Sequence, residues 1–156
     1  MEKTNAMRLL DKSRIPYSSY SYDASDGKID GISVAAKLEK PLEQVYKTLV
    51  LKGVSRNIYV FILPVADEVD LKKAAKASGE KSIEMISVKD ILAITGYVRG
   101  GCSPFGMKKH YPTFVDQSAA LQPTIIVSAG KIGLQVELKT EDLLRETKGI
   151  LADIRR

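Results

Sequence analysis

Two short segments of the chain carry residue types that can bind an anion or polarise a carbonyl group. Residues 46–51 place one lysine, Lys47, near the start of an otherwise apolar run. Residues 100–106 contain three glycines and a proline, a composition typical of backbone that approaches another group closely. A partly desolvated ammonium group beside free backbone N–H groups can stabilise developing negative charge. The two segments together predict a ligand site that works without the usual catalytic side chains.

The scarcity of histidine and cysteine excludes several other chemistries. The chain has one histidine, His110, and one cysteine, Cys102, whereas a zinc site made of such ligands needs three or four of them. His110 lies in a polar stretch before Pro112, which favours an exposed loop over a catalytic position. No base is evident that would activate the Cys102 thiol, and a single cysteine fits a reducing compartment. The sequence therefore predicts no zinc site of this type and offers no base for a cysteine nucleophile, and neither a metal nor a cofactor is expected.

The length and net charge of the chain limit its number of domains and its possible partners. A chain of 156 residues predicts one domain, residues 1–156, with a substantial core. The net charge of +5 favours a polyanionic partner such as nucleic acid, although a solvated basic surface explains it equally well. The N-terminus lacks a signal-peptide core, and the longest apolar run, residues 58–66, is too short to span a bilayer. A cytoplasmic protein is expected.

Each candidate residue also has an ordinary structural explanation. Lys47 could be a strand-edge lysine whose ammonium group reaches water. The glycine segment could be a plain surface loop, and Ser128 could belong to a plain turn at the end of a strand. The glycine segment has the spacing of neither a P-loop nor a dinucleotide fingerprint. On the residue types alone, the functional and the structural explanations both stay open.

The elements that must position these residues follow from the apolar periodicity. Caps are predicted at Asp70, at Ser87 as a capping box, and at Thr140, and Gly79 ends the helix that follows Asp70. Helices are predicted over residues 5–12, 33–40, 41–46, 71–77 and 87–96 and after residue 140. Strands are predicted over residues 17–22, 47–51, 57–63, 83–86, 113–115, 124–128 and 134–138, the last of them half-buried. The irregular order predicts an α/β domain around a mixed sheet rather than a doubly wound parallel one.

Three motifs at residues 46–49, 96–106 and 127–134 resemble the YbaK family of aminoacyl-tRNA deacylases, free-standing relatives of the editing domain inserted in bacterial prolyl-tRNA synthetases. The likeness runs from the first helix to the last. One stretch departs from the family pattern, because Asp30 stands where relatives place an aromatic residue before a glycine. The resemblance implies Lys47 and Gly101 as the catalytic groups. It also implies a substrate pocket lined by Tyr22, Thr48, Gly100, Ser103 and Ser128.

The resemblance further implies a fold and a reaction. The fold is the YbaK/prolyl-tRNA-synthetase editing fold, an α/β arrangement with a mixed, partly barrel-like sheet and surrounding helices. The reaction is removal of cysteine from mischarged tRNA(Pro), since a pocket cannot strongly reject an amino acid close to proline in size. In the family mechanism the substrate thiol attacks its own ester carbonyl and leaves as a thiolactone. Lys47 and the Gly101 N–H group would stabilise the oxyanion and the leaving oxygen.

The implied partner is aminoacyl-tRNA, bound at the acceptor end of tRNA(Pro), with prolyl-tRNA synthetase as a second candidate partner. Lys108 and Lys109 would hold phosphates of the acceptor stem. Two alternatives stay open: a deacylase for another substrate such as alanyl-tRNA(Pro), which would need an activated water, and a non-catalytic nucleic-acid-binding or regulatory module. The intact Lys47 and glycine segment favour catalysis.

Overall fold

A computed structural model describes residues 3–156, which form five α-helices and eight strands. Two 3-10 turns, Leu42–Gln44 and Gln117–Leu121, complete the regular structure of this part of the chain. The helices are α1 (Asn5–Lys12), α2 (Gly31–Leu38), α3 (Leu71–Ser78), α4 (Val88–Thr95) and α5 (Thr140–Thr147). The strands are β1 (Tyr17–Ser21), β2 (Tyr46–Gly53), β3 (Ile58–Pro64), β4 (Ile83–Met85), β5 (Thr113–Asp116), β6 (Thr124–Ser128), β7 (Leu134–Lys139) and β8 (Ile150–Ala152).

The strands form two sheets that meet where β2 and β6 begin. The smaller sheet is antiparallel with the order β1-β7-β6, and the larger has the order β4-β2-β3-β5-β8. The larger sheet is mixed, because β3 pairs in parallel with β5 and β5 in parallel with β8. An isolated parallel bridge between Val45 and Ile126 links the two sheets. The sheet is therefore mixed, as predicted, and it stays open rather than closing into a barrel.

The core lies on both faces of the larger sheet. β3 is buried on both faces, as its near-continuous apolar sequence predicts. One face of β2 and β3, which includes Tyr46 and Ile62, packs with α1, α5 and the smaller sheet. The other face packs on α3, and Val45 and Ile126 pack with Ala35 of α2. Because strand residues alternate between faces, Lys47 lies on the side of Val45, and the residue after it lies on the side of Tyr46.

Most predicted elements are confirmed, and of the three predicted N-terminal caps the one at Asp70 is confirmed. α1 and β6 have the predicted bounds. The Asp70 side chain accepts a hydrogen bond from Lys73 N (3.0 Å), and Gly79 ends α3 in the left-handed conformation with φ 76°. No helix in residues 3–156 is both long enough and apolar enough to cross a membrane.

Four local predictions were wrong. The Ser87 side chain makes no capping hydrogen bond in the described chain, so the capping box is absent. Thr140 is the first residue of α5, and its hydroxyl donates to Gln122 O instead of capping the helix. The helix predicted over residues 41–46 is a single 3-10 turn, because the backbone is already extended at Val45. β7 is more than half-buried, because it is the central strand of its sheet and its Gln135 is only 6% exposed.

Candidate active site

The predicted site lies where β2 and β6 separate. The bridge between Val45 and Ile126 is parallel, so Lys47 and Ser128, two residues further along each strand, lie at corresponding positions on one face. Among residues 3–156 no later bridge joins these two strands. β2 is not paired again on this edge until Leu51, where β4 joins it. The edge of β2 beside Lys47 is therefore open.

The open edge presents backbone groups of Thr48. Val65 N donates to Val45 O (2.9 Å), and Gly53 N donates to Asn57 O (2.9 Å). Odd-numbered residues of β2 therefore form the hydrogen-bonded pairs with β3, and even-numbered residues direct their N–H and C=O groups to the other edge. Thr48 accordingly turns one backbone donor and one backbone acceptor towards the gap between β2 and β6.

Two buried hydroxyl groups are left without a hydrogen-bond partner. Within residues 3–156 they are the hydroxyls of Tyr22 and Thr48, and both residues belong to the pocket implied by the family resemblance. Tyr22 directly follows β1, where its backbone N–H donates to Gly133 O (2.9 Å). A buried unsatisfied polar group costs about 1–3 kcal/mol. Such hydroxyls can be satisfied by a bound polar ligand, and strand alternation puts the Thr48 side chain on the opposite face of β2 from Lys47.

Lys47 is a half-buried cation without a close partner. Its ammonium group makes no hydrogen bond or ion pair with any residue in the described range 3–156. Burial lowers the Lys47 pKa from its ordinary value, while the charges of Glu68 and Asp67 act in the opposite direction. A desolvated, unpaired ammonium interacts strongly with a nearby negative charge and gives up its proton more readily than an ordinary lysine.

The glycine segment packs closely against the turn between β6 and β7. A Cβ atom on Gly101 would lie 3.0 Å from Ile132 N and 3.3 Å from Lys131 Cα. Gly100 has φ 86°, and a Cβ atom there would lie 2.8 Å from Ile29 Cδ1. Both glycines are therefore required by a close approach of three loops, namely the segment itself, the β6–β7 turn and the loop before α2. This contact brings the glycine segment to the end of β6 that carries the predicted pocket serine.

The backbone donors of the segment differ from the expected ones. Gly101 N donates to Val98 O (3.0 Å), so this N–H group closes a turn and is not a free donor in this conformation. The N–H groups of Gly100, Cys102 and Ser103 have no hydrogen-bond partner within residues 3–156. The Gly101 N–H group is therefore not free for the expected oxyanion contact in this conformation, whereas these three neighbouring N–H groups are unbonded within residues 3–156.

The other polar residues of the site have defined local roles. Burial raises the pKa of Cys102 to about 11, so its thiol stays protonated and is not a ready nucleophile. Ser103 is fully buried, and its Oγ accepts a hydrogen bond from Phe105 N (3.3 Å). Ser128 Oγ accepts one from Gly130 N (3.2 Å). Both serines thus shape turns, and the half-buried Ser128 can still donate its hydroxyl proton to a ligand.

Lys108 and Lys109 lie in a basic groove at the other end of β2. Both are exposed, and with Lys52 and Arg56 they line a cavity of about 610 Å³. Two acidic side chains, Glu84 and Asp90, also line it. The sequence did not predict that Lys52 and Arg56 line this groove. Their position in a basic turn between two strands could have indicated it. The five residue steps from Lys47 to Lys52 span about 17 Å of strand.

The remaining expectations concern His110 and metals. His110 is exposed, as predicted. No three side chains of histidine, cysteine, aspartate or glutamate come together within residues 3–156 in a way that could hold a metal ion. The sequence prediction that the reaction needs no metal stays a prediction.

These features place a half-buried lysine and a glycine segment with backbone N–H groups that are unbonded within residues 3–156 on a mixed α/β scaffold. Comparison with known proteins identifies that scaffold. The family model described as the aminoacyl-tRNA editing domain matches residues 30–146. The chain therefore belongs to the aminoacyl-tRNA editing domain family, which confirms the resemblance, and it is an aminoacyl-tRNA deacylase.

Individual relatives agree with this assignment. A protein of Enterococcus faecalis, named as the Cys-tRNA(Pro)/Cys-tRNA(Cys) deacylase EbsC, is 46% identical over 153 residues, covering 98% of this chain and 93% of its own. A proline–tRNA ligase of Burkholderia multivorans is 24% identical over 140 residues, which cover 87% of this chain and 24% of the ligase. A crystal structure described as a trans-editing enzyme for prolyl-tRNA synthetase has a TM-score of 0.83 at 20% identity and covers 99% of both chains. That structure confirms the predicted fold.

Proposed function

We propose that this protein is a free-standing editing enzyme that removes cysteine from mischarged Cys-tRNA(Pro). The observation that carries the proposal is the half-buried Lys47 ammonium group, unpaired within residues 3–156, at the open edge between β2 and β6. The name of the similar Enterococcus faecalis protein supports cysteine as the amino acid. Because no activated nucleophile is available in the described site, the proposal uses the thiol that this substrate itself carries.

The proposed reaction is an intramolecular displacement. The substrate thiolate attacks its ester carbonyl carbon, and a carbon–sulfur bond forms while the bond to the ribose oxygen breaks. The electron pair of that bond goes to the ribose oxygen, which takes up a proton. The products are tRNA with a free terminal hydroxyl and a cysteine thiolactone, which water then opens. The lowered pKa of Lys47 suits it to donate that proton.

The protein's part is to orient the ester and to stabilise charge. In the proposed complex the Lys47 ammonium group contacts the leaving oxygen. Free N–H groups of the glycine segment at Gly100, Cys102 or Ser103 donate hydrogen bonds to the carbonyl oxygen as it becomes an oxyanion. The Tyr22 hydroxyl and the hydroxyl and backbone of Thr48 bind the polar groups of the aminoacyl end. Holding thiol and ester together accounts for much of the acceleration.

The basic groove is the proposed contact for the tRNA backbone. Its four cations, Lys52, Arg56, Lys108 and Lys109, face outward beside two acids. One nucleic-acid strand advances about 3.4 Å per nucleotide, so the roughly 17 Å between Lys47 and Lys52 matches a few unpaired nucleotides at the 3′ end. Lys52 lies on the opposite face of β2 from Lys47, so with the acceptor stem of tRNA(Pro) in the groove the 3′ end would cross the open edge of β2 to reach Lys47. We place this activity in the cytoplasm, with prolyl-tRNA synthetase as a candidate partner.

The decisive experiment is deacylation of an aminoacyl-tRNA panel by the purified protein. The panel contains tRNA(Pro) charged with cysteine, alanine, serine or proline, and tRNA(Cys) charged with cysteine. We expect Cys-tRNA(Pro) to be deacylated fastest and Pro-tRNA(Pro) not to be deacylated. In Lys47→Ala this difference in deacylation rate between the two substrates should disappear. Preference for Ala-tRNA(Pro) would replace the thiol mechanism by a water-dependent one. No activity on any member would contradict the proposed function.

A further inference from the structure

Residues 154–156 lie along the segment that follows β3. Asp70 N donates to Ile154 O (2.8 Å), and Arg156 N donates to Glu68 O (3.0 Å). An antiparallel bridge between Val69 and Arg155 lies between these two hydrogen bonds. Two consecutive arginines are thereby fixed beside a pair of consecutive acids.

Each of these arginines holds one acid of that pair. Arg155 Nη1 lies 2.7 Å from Asp67 Oδ2, and Arg156 Nη1 lies 3.2 Å from Glu68 Oε2. Arg155 Nε also lies 3.5 Å from Oδ2 of Asp116, a carboxylate that is fully buried. The first of these pairs is the less exposed: Arg155 lies between two carboxylates, whereas Arg156 and Glu68 are largely exposed.

The same two acids are the ones that act on Lys47. β3 pairs with β2 so that Leu63 lies opposite Lys47, and the chain then turns back at Asp67, whose N–H donates to Pro64 O (3.1 Å). Glu68 and Asp67 are the charges that act electrostatically on Lys47. Within residues 3–156, however, no carboxylate forms an ion pair with Lys47. Both acids are instead paired with the two arginines.

We propose that Arg155, assisted by Arg156, is a positioning residue that holds Asp67 and Glu68 away from Lys47 and so keeps its ammonium group free for the substrate. The proposal rests on the proposed function only for the use of Lys47 in the reaction. The electrostatic arrangement itself is a property of the protein without substrate, so it is open to a separate measurement.

The test removes the charge of Arg155 and then removes the acid that Arg155 holds. In Arg155→Gln, Asp67 is released and one positive charge is lost, and both changes favour the charged form of Lys47. We therefore expect the Lys47 pKa, followed by NMR of its side-chain carbon and assigned with Lys47→Arg, to rise. In the double variant Arg155→Gln/Asp67→Asn it should return towards the wild-type value. Asp67→Asn alone should lower it.

Deacylation supplies a second readout. Arg155→Gln should lower kcat/KM by about fivefold, the scale of one partly exposed ion pair that must be broken, and the double variant should recover. An unchanged Lys47 pKa in folded Arg155→Gln would overturn the proposal, as would a double variant as impaired as the single one. If Arg155→Gln does not fold, the Lys47 pKa is measured by NMR in Arg155→Lys and Asp67→Asn instead, and these values test the proposal. If the protein had no deacylase activity, the proposed function would be contradicted. The NMR measurement of the Lys47 pKa would still test the role of Arg155.

Discussion

Lys47 is the residue on which the proposed chemistry depends most. Lys47→Ala is expected to lose at least about a hundredfold in deacylation rate, the scale of losing one donor to a developing oxyanion. The fold should survive, because Lys47 has no hydrogen bond or ion pair within residues 3–156 to lose. Single-turnover deacylation with thermal unfolding checks both points, and Lys76→Ala on the exposed face of α3 is a matched control. Near wild-type activity of a folded Lys47→Ala protein would contradict the mechanism.

The pH dependence follows from the Lys47 pKa. Burial lowers this pKa in the folded protein, so the charged form is present below it and is lost as the pH rises through it. The rate with Cys-tRNA(Pro) should first rise with pH as the substrate thiol, with a pKa of about 8.5, ionises. It should then fall at a pH below the usual lysine range. Because the unfolded chain binds the Lys47 proton more tightly, stability should rise across the same window.

Cys102 is expected to be dispensable. Its thiol pKa of about 11 leaves almost no thiolate at neutral pH, so Cys102→Ala should retain most of the activity. Ser-tRNA(Pro) should react far more slowly than Cys-tRNA(Pro), because a hydroxyl group is a much weaker nucleophile. Mass spectrometry of the early products should detect the thiolactone. An inactive Cys102→Ala protein, or equal rates for the two substrates, would assign the nucleophile elsewhere.

At the scale of elements, alanine substitutions at the two glycines of the glycine segment test two different requirements. Gly101 is needed for close packing, and Gly100 is needed for its left-handed backbone conformation. Gly101→Ala places a methyl group 3.0 Å from Ile132 N, so the segment must shift by a few tenths of an ångström. We expect its Tm to change by only a few degrees and its activity to fall, because the shift moves the free N–H donors. Gly100→Ala, at φ 86°, should lose more stability, since the left-handed region costs a side chain about 1–2 kcal/mol.

A matched control isolates the conformational cost. Gly27 has φ 75° and no atom within 4 Å of a Cβ placed there, so Gly27→Ala should lose stability without losing activity. Equal losses of stability and activity in Gly101→Ala would indicate that this glycine only shapes a turn.

The elements themselves could be predicted because most of their signals are local. The periodicity of α1 and the run of β6 need only their own residues, and so does the cap at Asp70. β7 was misjudged because its burial depends on neighbours that are distant in sequence. Glu137 in this strand accepts hydrogen bonds from Tyr20 (2.6 Å) and Gln44 (2.9 Å), which let a polar residue occupy a central strand. β8, Ile150–Ala152, was missed because three residues carry too little pattern.

The site could be predicted in part. Lys47 and the glycine segment stood out by composition, and the family resemblance added Tyr22 and Thr48. Their arrangement depends on the Val45–Ile126 bridge, a pairing between residues 81 positions apart that no local pattern encodes. The hydrogen bond from the Gly101 N–H group to Val98 O could not be predicted from local sequence either. These features follow from tertiary contacts, and only the structure supplies them.

At the scale of the whole molecule, the basic groove carries part of the net charge of +5, because four cations and two acids line it. Replacing Lys52, Arg56, Lys108 and Lys109 by alanine, singly and together, should raise KM for Cys-tRNA(Pro) and change kcat little, because phosphate contacts position the substrate without joining the reaction. Each lost contact should also reduce the slope of log affinity against log salt by about 0.7–0.9.

The control for this prediction is a pair of exposed lysines on α3, Lys72 and Lys76, which lie outside the groove. Lys72→Ala/Lys76→Ala removes two charges and changes the net charge as much as Lys108→Ala/Lys109→Ala does. If tRNA binds through its backbone in the groove, only the second pair should change KM and the salt slope. Equal effects of the two pairs would mean that the protein attracts tRNA through its net charge alone, and that the acceptor stem has no fixed path from the groove to Lys47.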